Sequence, residues 1–336
     1  MRDRQWPLVT IVIPARNEAA SIADCIRHVA LQDFPLDHMQ IIVVDGSSTD
    51  ATVERAEEAL ASFAFGTVAV LCNPAGTTPS GLNVGLAAAT GEYLCRVDAR
   101  SFVPPSYVRD CVELLLASPG IAVVGGAQVA TACPHASARE RGIARALRNP
   151  YATGLARYRR RRSSGATDTV YLGTFRTEQL RLVGGWDERL HTNQDYELNR
   201  RMQRLGTVWF VAGLDVAYRP RSTLAALVAQ YYRFGRWKAL GWREIGLPLS
   251  GRHLVLLSAP PAAAVLLVLG ARFKPAVTCA GAVAAVALLD GAGGESAPAQ
   301  ERAWSLVSTF AIALAWWAGA VEQLARPPKR RTRSPS

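Results

Sequence analysis

An aspartate stands at the tip of an apolar run, where a side chain leaves a sheet and meets ligand. Asp45 closes the run Gln40–Val44 and is followed by Gly-Ser-Ser-Thr-Asp50. A carboxylate there can accept from a nucleobase or a ribose. Gly46 allows a sharp backbone turn, and Ser47, Ser48 or Thr49 can cap a following helix. A second run, Leu8–Ile13, ends in Pro14-Ala-Arg-Asn-Glu18, which puts polar residues at the carboxyl edge of a first strand. In open α/β sheets ligands bind at that edge. Asp98 ends the run Tyr93–Val97 in the same way. Asp195 and Glu197 stand in the first turn of a segment that reads as a helix, where acids also stabilise the helix dipole.

Holding these residues at one edge requires alternating strands and helices. The β-branched runs Leu8–Ile13 and Gln40–Val44, bounded by turn formers, read as buried parallel strands. Thr67–Leu71, Tyr93–Val97 and Ile121–Val124 continue the series. Between them, Glu18–Leu31 and Asp50–Phe63 carry helical apolar spacing. The expected fold class is α/β, a sandwich with a mostly parallel central sheet flanked by helices.

The chain has 336 residues, 49% of them hydrophobic and 19% charged, with 38 Lys+Arg against 27 Asp+Glu for a net charge of +11. That composition excludes a disordered chain, and the basic balance suits anionic partners. Six scattered cysteines without a C-x-x-C pair predict reduced, mostly buried thiols. The N-terminus runs straight into a strand without a signal peptide, so the first part is expected in the cytoplasm.

The stretches Val9–Glu18 and Val43–Asp50, taken at this spacing, resemble the start of family 2 glycosyltransferases, which share the GT-A nucleotide-sugar-binding fold. The resemblance implies that Pro14, Ala15, Arg16, Glu18, Asp45 and Ser47 line the donor pocket, with Asp45 near the base. It extends through Pro79–Asp98, which implies Asn83 and Gly85 near the donor and Asp98 at a metal site for Mg²⁺ or Mn²⁺. A metal held there neutralises the charge of a departing nucleoside diphosphate. The family's usual Asp-x-Asp reads Asp98-Ala99-Arg100 here. Arg100 is therefore either a phosphate contact or a neighbour of an ion held by Asp98 and water.

Gly184-Gly-Trp-Asp-Glu188 followed by Asn193-Gln-Asp-Tyr-Glu-Leu-Asn199 is similar to the family's glycine-aromatic turn and acidic helix start. The similarity implies that Asp195 is the catalytic base, that Gln194 before it contacts acceptor or diphosphate, and that Trp186 is either a sugar-stacking platform or a core residue. Gln230-Tyr-Tyr-Arg-Phe-Gly-Arg-Trp-Lys238 resembles the Gln-x-x-Arg-Trp signature of processive members, with Phe234 at the Trp position. Gln230, Arg233, Arg236 and Trp237 then contact diphosphate or acceptor, or else belong to a basic amphipathic helix on a membrane.

Arg157-Tyr-Arg-Arg-Arg-Arg162 could meet lipid headgroups, a lipid-linked pyrophosphate or solvent. No nucleic-acid module accompanies it, so no nucleic-acid partner is expected. Near residue 250 the composition turns apolar. His253–Gly270, interrupted by Pro260-Pro261, Pro275–Leu289 and Trp304–Leu324 approach or reach the ~20 residues that span a bilayer. A basic tail, Arg326–Arg333, follows. The expected plan is a cytoplasmic catalytic domain over 1–245, two or three membrane-associated helices over 246–325 and a disordered tail over 326–336, at the inner membrane. The whole order is similar to bacterial glycosyltransferases of succinoglycan biosynthesis. It implies an inverting enzyme taking a sugar from a nucleotide-sugar donor to a lipid-linked or saccharide acceptor in exopolysaccharide assembly. A processive synthase and a nucleotide-binding membrane protein without transfer activity are the alternatives.

Overall fold

The structure is a computed structural model that describes residues 5–149, 152, 163–190, 192–244, 246, 248–249, 251–275, 278–279, 281–282, 285–286, 290 and 296–326. The basic run Arg157–Arg162 and the tail beyond Arg326 lie outside the described residues. The chain divides into two compact units, Met1–His135 with Ala156–Pro220, and Ala136–Leu155 with Arg221–Ser336.

The first unit is built on one sheet. Its strands are β1 (Val9–Ala15), β2 (Met39–Asp45), β3 (Thr67–Cys72), β4 (Tyr93–Arg96), β5 (Ser101–Phe102), β6 (Ile121–Ala130), β7 (Gly165–Ala166), β8 (Tyr171–Arg176) and β9 (Thr207–Tyr218). They run in the order β3-β2-β1-β4-β8-β6-β9-β5, with β7 paired to β9. The expected parallel arrangement holds from β3 to β4. Beyond β4 the sheet is mixed: β8 is antiparallel to both β4 and β6, while β6 and β9 are parallel. The apolar run of a strand does not encode its direction; that is decided by which edge the chain returns to.

Alternation along the strands makes a core on each face of the sheet. Ile11, Ile13, Ile41 and Val43 pack on α1 (Ile22–Ala30), α2 (Thr52–Ala61) and α4 (Tyr107–Ala117). Val12, Ile42 and Val44 pack on α3 (Thr78–Ala88), α6 (Thr177–Leu182) and α7 (Gln194–Met202). Burial on both faces explains why β1 and β2 read as largely apolar runs, whose polar members Thr10 and Gln40 are buried and hydrogen-bonded to each other at 2.6 Å. Gly85 of α3 has a packing reason: a Cβ there would lie 2.3 Å from Val12 Cγ1.

The second unit holds α5 (Ala138–Arg148), α8 (Leu224–Glu244), α9 (Gly251–Phe273) and α10 (Ala299–Ala325). Although the composition changes only near residue 250, α8 packs along α10. Glycines permit the close approach. A Cβ on Gly235 would sit 1.9 Å from Trp316 O, and one on Gly319 would sit 2.1 Å from Tyr232 O. Asp290 pairs with Arg145 of α5 and Arg302 of α10, and Arg141 pairs with Glu301 at 3.1 Å. α9 and α10 are long and apolar enough to cross a membrane. α9 exposes Leu266, Val268 and Phe273 at 69–71%. Contrary to the expected interruption, α9 continues through Pro260-Pro261; proline removes N–H donors but a membrane-grade helix tolerates the loss. The segment Pro275–Leu289 lies largely outside the described residues. All six cysteines are free thiols, with Cys25, Cys95 and Cys111 buried and Cys72, Cys133 and Cys279 exposed.

Candidate active site at the carboxyl edge of the sheet

Register sets the site. Ala15 pairs with Asp45 and Val12 with Arg96, so β1, β2 and β4 end close together. Two loops leave this edge and interlock. Asn17 N donates to Ser48 Oγ at 2.8 Å, and Thr49 N donates to Asn17 Oδ1 at 2.8 Å. Glu18 N donates to Thr52 Oγ1 at 2.8 Å. Asn17 and Ser47 carry the strain of the turns, with φ of 54° and 61°.

In the turn that Gly46 opens, the left-handed residue is Ser47. The lack of a side chain on Gly46 leaves room for the neighbouring loops: a Cβ there would lie 3.3 Å from Arg16 Cβ and 3.4 Å from Gly76 Cα. Ser48 and Thr49 tie the two loops together rather than cap α2, whose N-cap is Ala51 without a side-chain bond. Arg16 is exposed and its Nη1 donates to Gly76 O at 3.1 Å. Pro14 is half-buried, the Ala15 methyl is buried and Ser47 is exposed.

Asp45 is 8% exposed. Its Oδ2 accepts Ser48 N at 3.0 Å, but Oδ1 is buried and has no hydrogen-bond partner. A buried acceptor without a donor calls for one from a ligand or water.

Asp98 lies two residues beyond β4. Its Oδ1 accepts Arg96 Nε at 2.7 Å, and its side chain is 28% exposed. Arg100 Nε stands 3.0 Å from Glu18 Oε2, and Ser21 Oγ donates to the same Glu18 oxygen at 3.0 Å. Arg100 Nε and Nη1 are both buried without a hydrogen bond, so the contact with Glu18 is an ion pair only.

Asp195 arrives from α7, whose N-cap Asn193 is left-handed at φ 64°. Its Oδ1 accepts from Arg96 Nη1 and, at 3.3 Å, from Trp186 Nε1. Surrounding protein raises the Asp195 pKa above the usual 3.8, and the Asp98 charge adds to this, while Arg96 and Trp186 oppose it. The raise is tempered by the 43% of its side chain that stays exposed. Gln194 beside it is buried.

Trp186 is only 2% exposed and lies edge-on to Phe175, with centroids 5.9 Å apart. It offers no ring face to a sugar; its role in this structure is to fill the core and hold Asp195. Asn83, expected near the donor, is spent on the same turn. Its Oδ1 accepts Trp186 N, and its Nδ2 donates to Trp186 O and Glu188 Oε1, each at 2.9 Å. Gly184 and Gly185 supply the left-handed backbone of that turn, with φ of 83° and 65°.

Gln230, Arg233, Arg236 and Trp237 lie on α8 of the second unit. Arg233 is exposed and the other three are half-buried. The Arg236 guanidinium carbon is 6.0 Å from the Tyr232 ring centre.

Sequence reasoning passed over Arg96, although a charged residue inside the apolar run Tyr93–Val97 was a visible signal. It also passed over Asn17 and Thr52, whose types are common in any turn.

The donor set available to a metal is small. Among the described residues no group of three or more His, Cys, Asp or Glu side chains gathers to hold an ion. At the site Asp98, with Oδ1 on Arg96, presents a partly exposed carboxylate, as does Asp195 on the other side of that guanidinium. Mg²⁺-type ions bind through one or two carboxylates with water and substrate phosphates. The residues therefore fit an ion carried with a diphosphate.

The sequence profile of glycosyl transferase family 2 matches residues 10–178. The chain is 30% identical over 261 residues to the succinoglycan biosynthesis protein ExoA of Rhizobium meliloti (strain 1021), covering 76% of this chain and 77% of that protein. It is 23% identical over 242 residues to a dolichyl N-acetyl-α-D-glucosaminyl phosphate 3-β-D-2,3-diacetamido-2,3-dideoxy-β-D-glucuronosyltransferase of Methanococcus voltae, covering 70% and 74%. Among solved structures, the mannosyltransferase PcManGT from Pyrobaculum calidifontis, in complex with GDP-Man and Mn²⁺, superposes with a TM-score of 0.63 at 21% identity, covering 96% of this chain and 88% of that one. With its GT-A-like fold and these matches, the chain belongs to glycosyl transferase family 2 and is a glycosyltransferase.

Proposed function

We propose that this enzyme moves a sugar, with inversion, from a nucleoside-diphosphate-sugar to an acceptor hydroxyl. The observation that carries this reading is that one guanidinium, Arg96, contacts both Asp98 and Asp195. A group for the donor's diphosphate and a group for the acceptor's proton then stand side by side, as a single displacement requires.

In this reading Asp45 Oδ1 accepts a hydrogen bond from the base or ribose, which satisfies its unpartnered oxygen. Pro14, Ala15, Ser47 and Glu18 shape the pocket around it, and Arg16 and Arg100 offer cations toward the phosphates. Asp98 would hold Mg²⁺ or Mn²⁺, which offsets charge on the departing diphosphate. Asp195 accepts the hydroxyl proton as the acceptor oxygen bonds to the anomeric carbon and the bond to the diphosphate breaks. A nucleoside diphosphate leaves.

A lipid-linked or saccharide acceptor is supported by the relatives, one named for succinoglycan biosynthesis and one for a dolichyl phosphate. The apolar α9 and α10 support attachment to a membrane; in this reading it is the inner membrane, with the catalytic unit on its cytoplasmic side. The test is a screen of nucleotide-sugars with the full chain in detergent, lipid-phosphate acceptors and Mg²⁺ or Mn²⁺. A product whose anomeric configuration, read by NMR, is opposite to the donor's is expected. Failure to consume any donor, or retention of configuration, overturns the reading.

A further inference from the structure

We infer that Arg96 is a positioning residue that orients the Asp195 carboxylate for proton transfer and couples it to Asp98; this rests on the proposed role of Asp195 as base. Arg96 closes β4 at the level of Val12 and is only 5% exposed. A buried guanidinium is costly unless its donors are met. Here Nε goes to Asp98 Oδ1 at 2.7 Å and Nη1 to Asp195 Oδ1.

Three features make this more than a generic ion pair. First, the two carboxylates come from sequence positions 97 residues apart, and the planar fork of one arginine sets their mutual geometry. Second, both donors to Asp195, Arg96 Nη1 and Trp186 Nε1, address the same oxygen, Oδ1. That choice leaves Oδ2 as the oxygen available to an acceptor hydroxyl, on a side chain still 43% exposed. Third, Arg96 cannot easily yield its place. It emerges from a strand whose residues are all buried, so its guanidinium is anchored by the sheet and not by a loop. A lysine in its place keeps the charge but reaches one carboxylate at a time.

The test is steady-state kinetics and calorimetric nucleotide affinity for Arg96→Lys, Arg96→Met and Asp195→Asn, in the full chain in detergent. Arg96→Met is expected to lower kcat about 100-fold, the scale of a misplaced reacting group, with nucleotide Kd within about threefold of wild type. Arg96→Lys is expected to recover part of that loss. A normal kcat in Arg96→Met, or losses of kcat and affinity in equal proportion, overturns the inference. If Asp195→Asn transfers sugar normally, the base assignment itself fails instead. Trp186→Phe supplies an independent check should the Arg96 variants not fold. It removes only the longer donor to Oδ1, and kcat within about tenfold of wild type is expected; a loss as complete as in Asp195→Asn overturns the inference.

Discussion

Arg100 Nε lies 3.0 Å from Glu18 Oε2, so a cation occupies the position where the family's motif has its second aspartate. This inverts the local charge. An ion held at Asp98 would have one carboxylate of that motif rather than two, with the Arg100 guanidinium two residues along the chain.

Metal and nucleotide binding are therefore expected to depend on each other. Electron paramagnetic resonance of Mn²⁺ with the detergent-purified enzyme should show weak binding by protein alone. Affinity should rise at least about tenfold when a nucleoside diphosphate is added, because phosphate oxygens complete the ligand set. Tight Mn²⁺ binding without nucleotide would contradict the single-carboxylate site.

Arg100→Ala removes the partner of Glu18 and a cation from the pocket. Charge-assisted hydrogen bonds are worth about 1.5–3 kcal/mol, so donor KM should rise about tenfold or more, with a smaller change in kcat. An unchanged donor KM would place Arg100 outside the donor site.

Asp45→Ala deletes the unpartnered buried Oδ1 together with the Oδ2 that receives Ser48 N. Calorimetry with UDP and GDP should show at least a tenfold loss for whichever nucleotide the wild type binds, from the same hydrogen-bond scale. Equal affinity in the variant would assign Asp45 to the turn alone.

The raised pKa of Asp195 has a definite sign in pH experiments. Its burial favours the protonated form, so kcat should fall on the acid side with a midpoint above the usual 3.8 for aspartate. Arg96→Met removes a charge that lowers this pKa and should move the midpoint further up. For stability the native state binds more protons than the unfolded one between the unfolded and folded pKa values. Asp195 thus costs stability as pH rises through that window. A pH–rate profile that is flat on the acid side down to the ordinary aspartate range would refute the assignment.

Gly85→Ala should lower Tm rather than act at the donor. The added Cβ falls 2.3 Å from Val12 Cγ1 in a packed core, and overpacking costs about 1–3 kcal/mol, against a helix-propensity gain of about 1 kcal/mol. Thermal unfolding followed by circular dichroism decides; a Tm at or above that of wild type would show that the α3–β1 contact yields.

The strands β1, β2 and β4 were legible from the amino-acid order because burial on both faces demands largely apolar runs, and those runs end where Asp45 and Asp98 begin. The sequence alone also determined that Asp195 opens a helix and that long apolar segments follow residue 250, since those are properties of local composition and spacing. Direction and partnership were beyond it. That β8 returns antiparallel beside β4, that α8 packs on α10, and that Trp186 and Asn83 serve each other rather than a sugar depend on which distant surfaces meet. Arg96 is the clearest case. In sequence it is a charge intruding on a strand, and only the tertiary structure, by carrying Asp195 to it from 99 residues away, gives its guanidinium two carboxylates to hold.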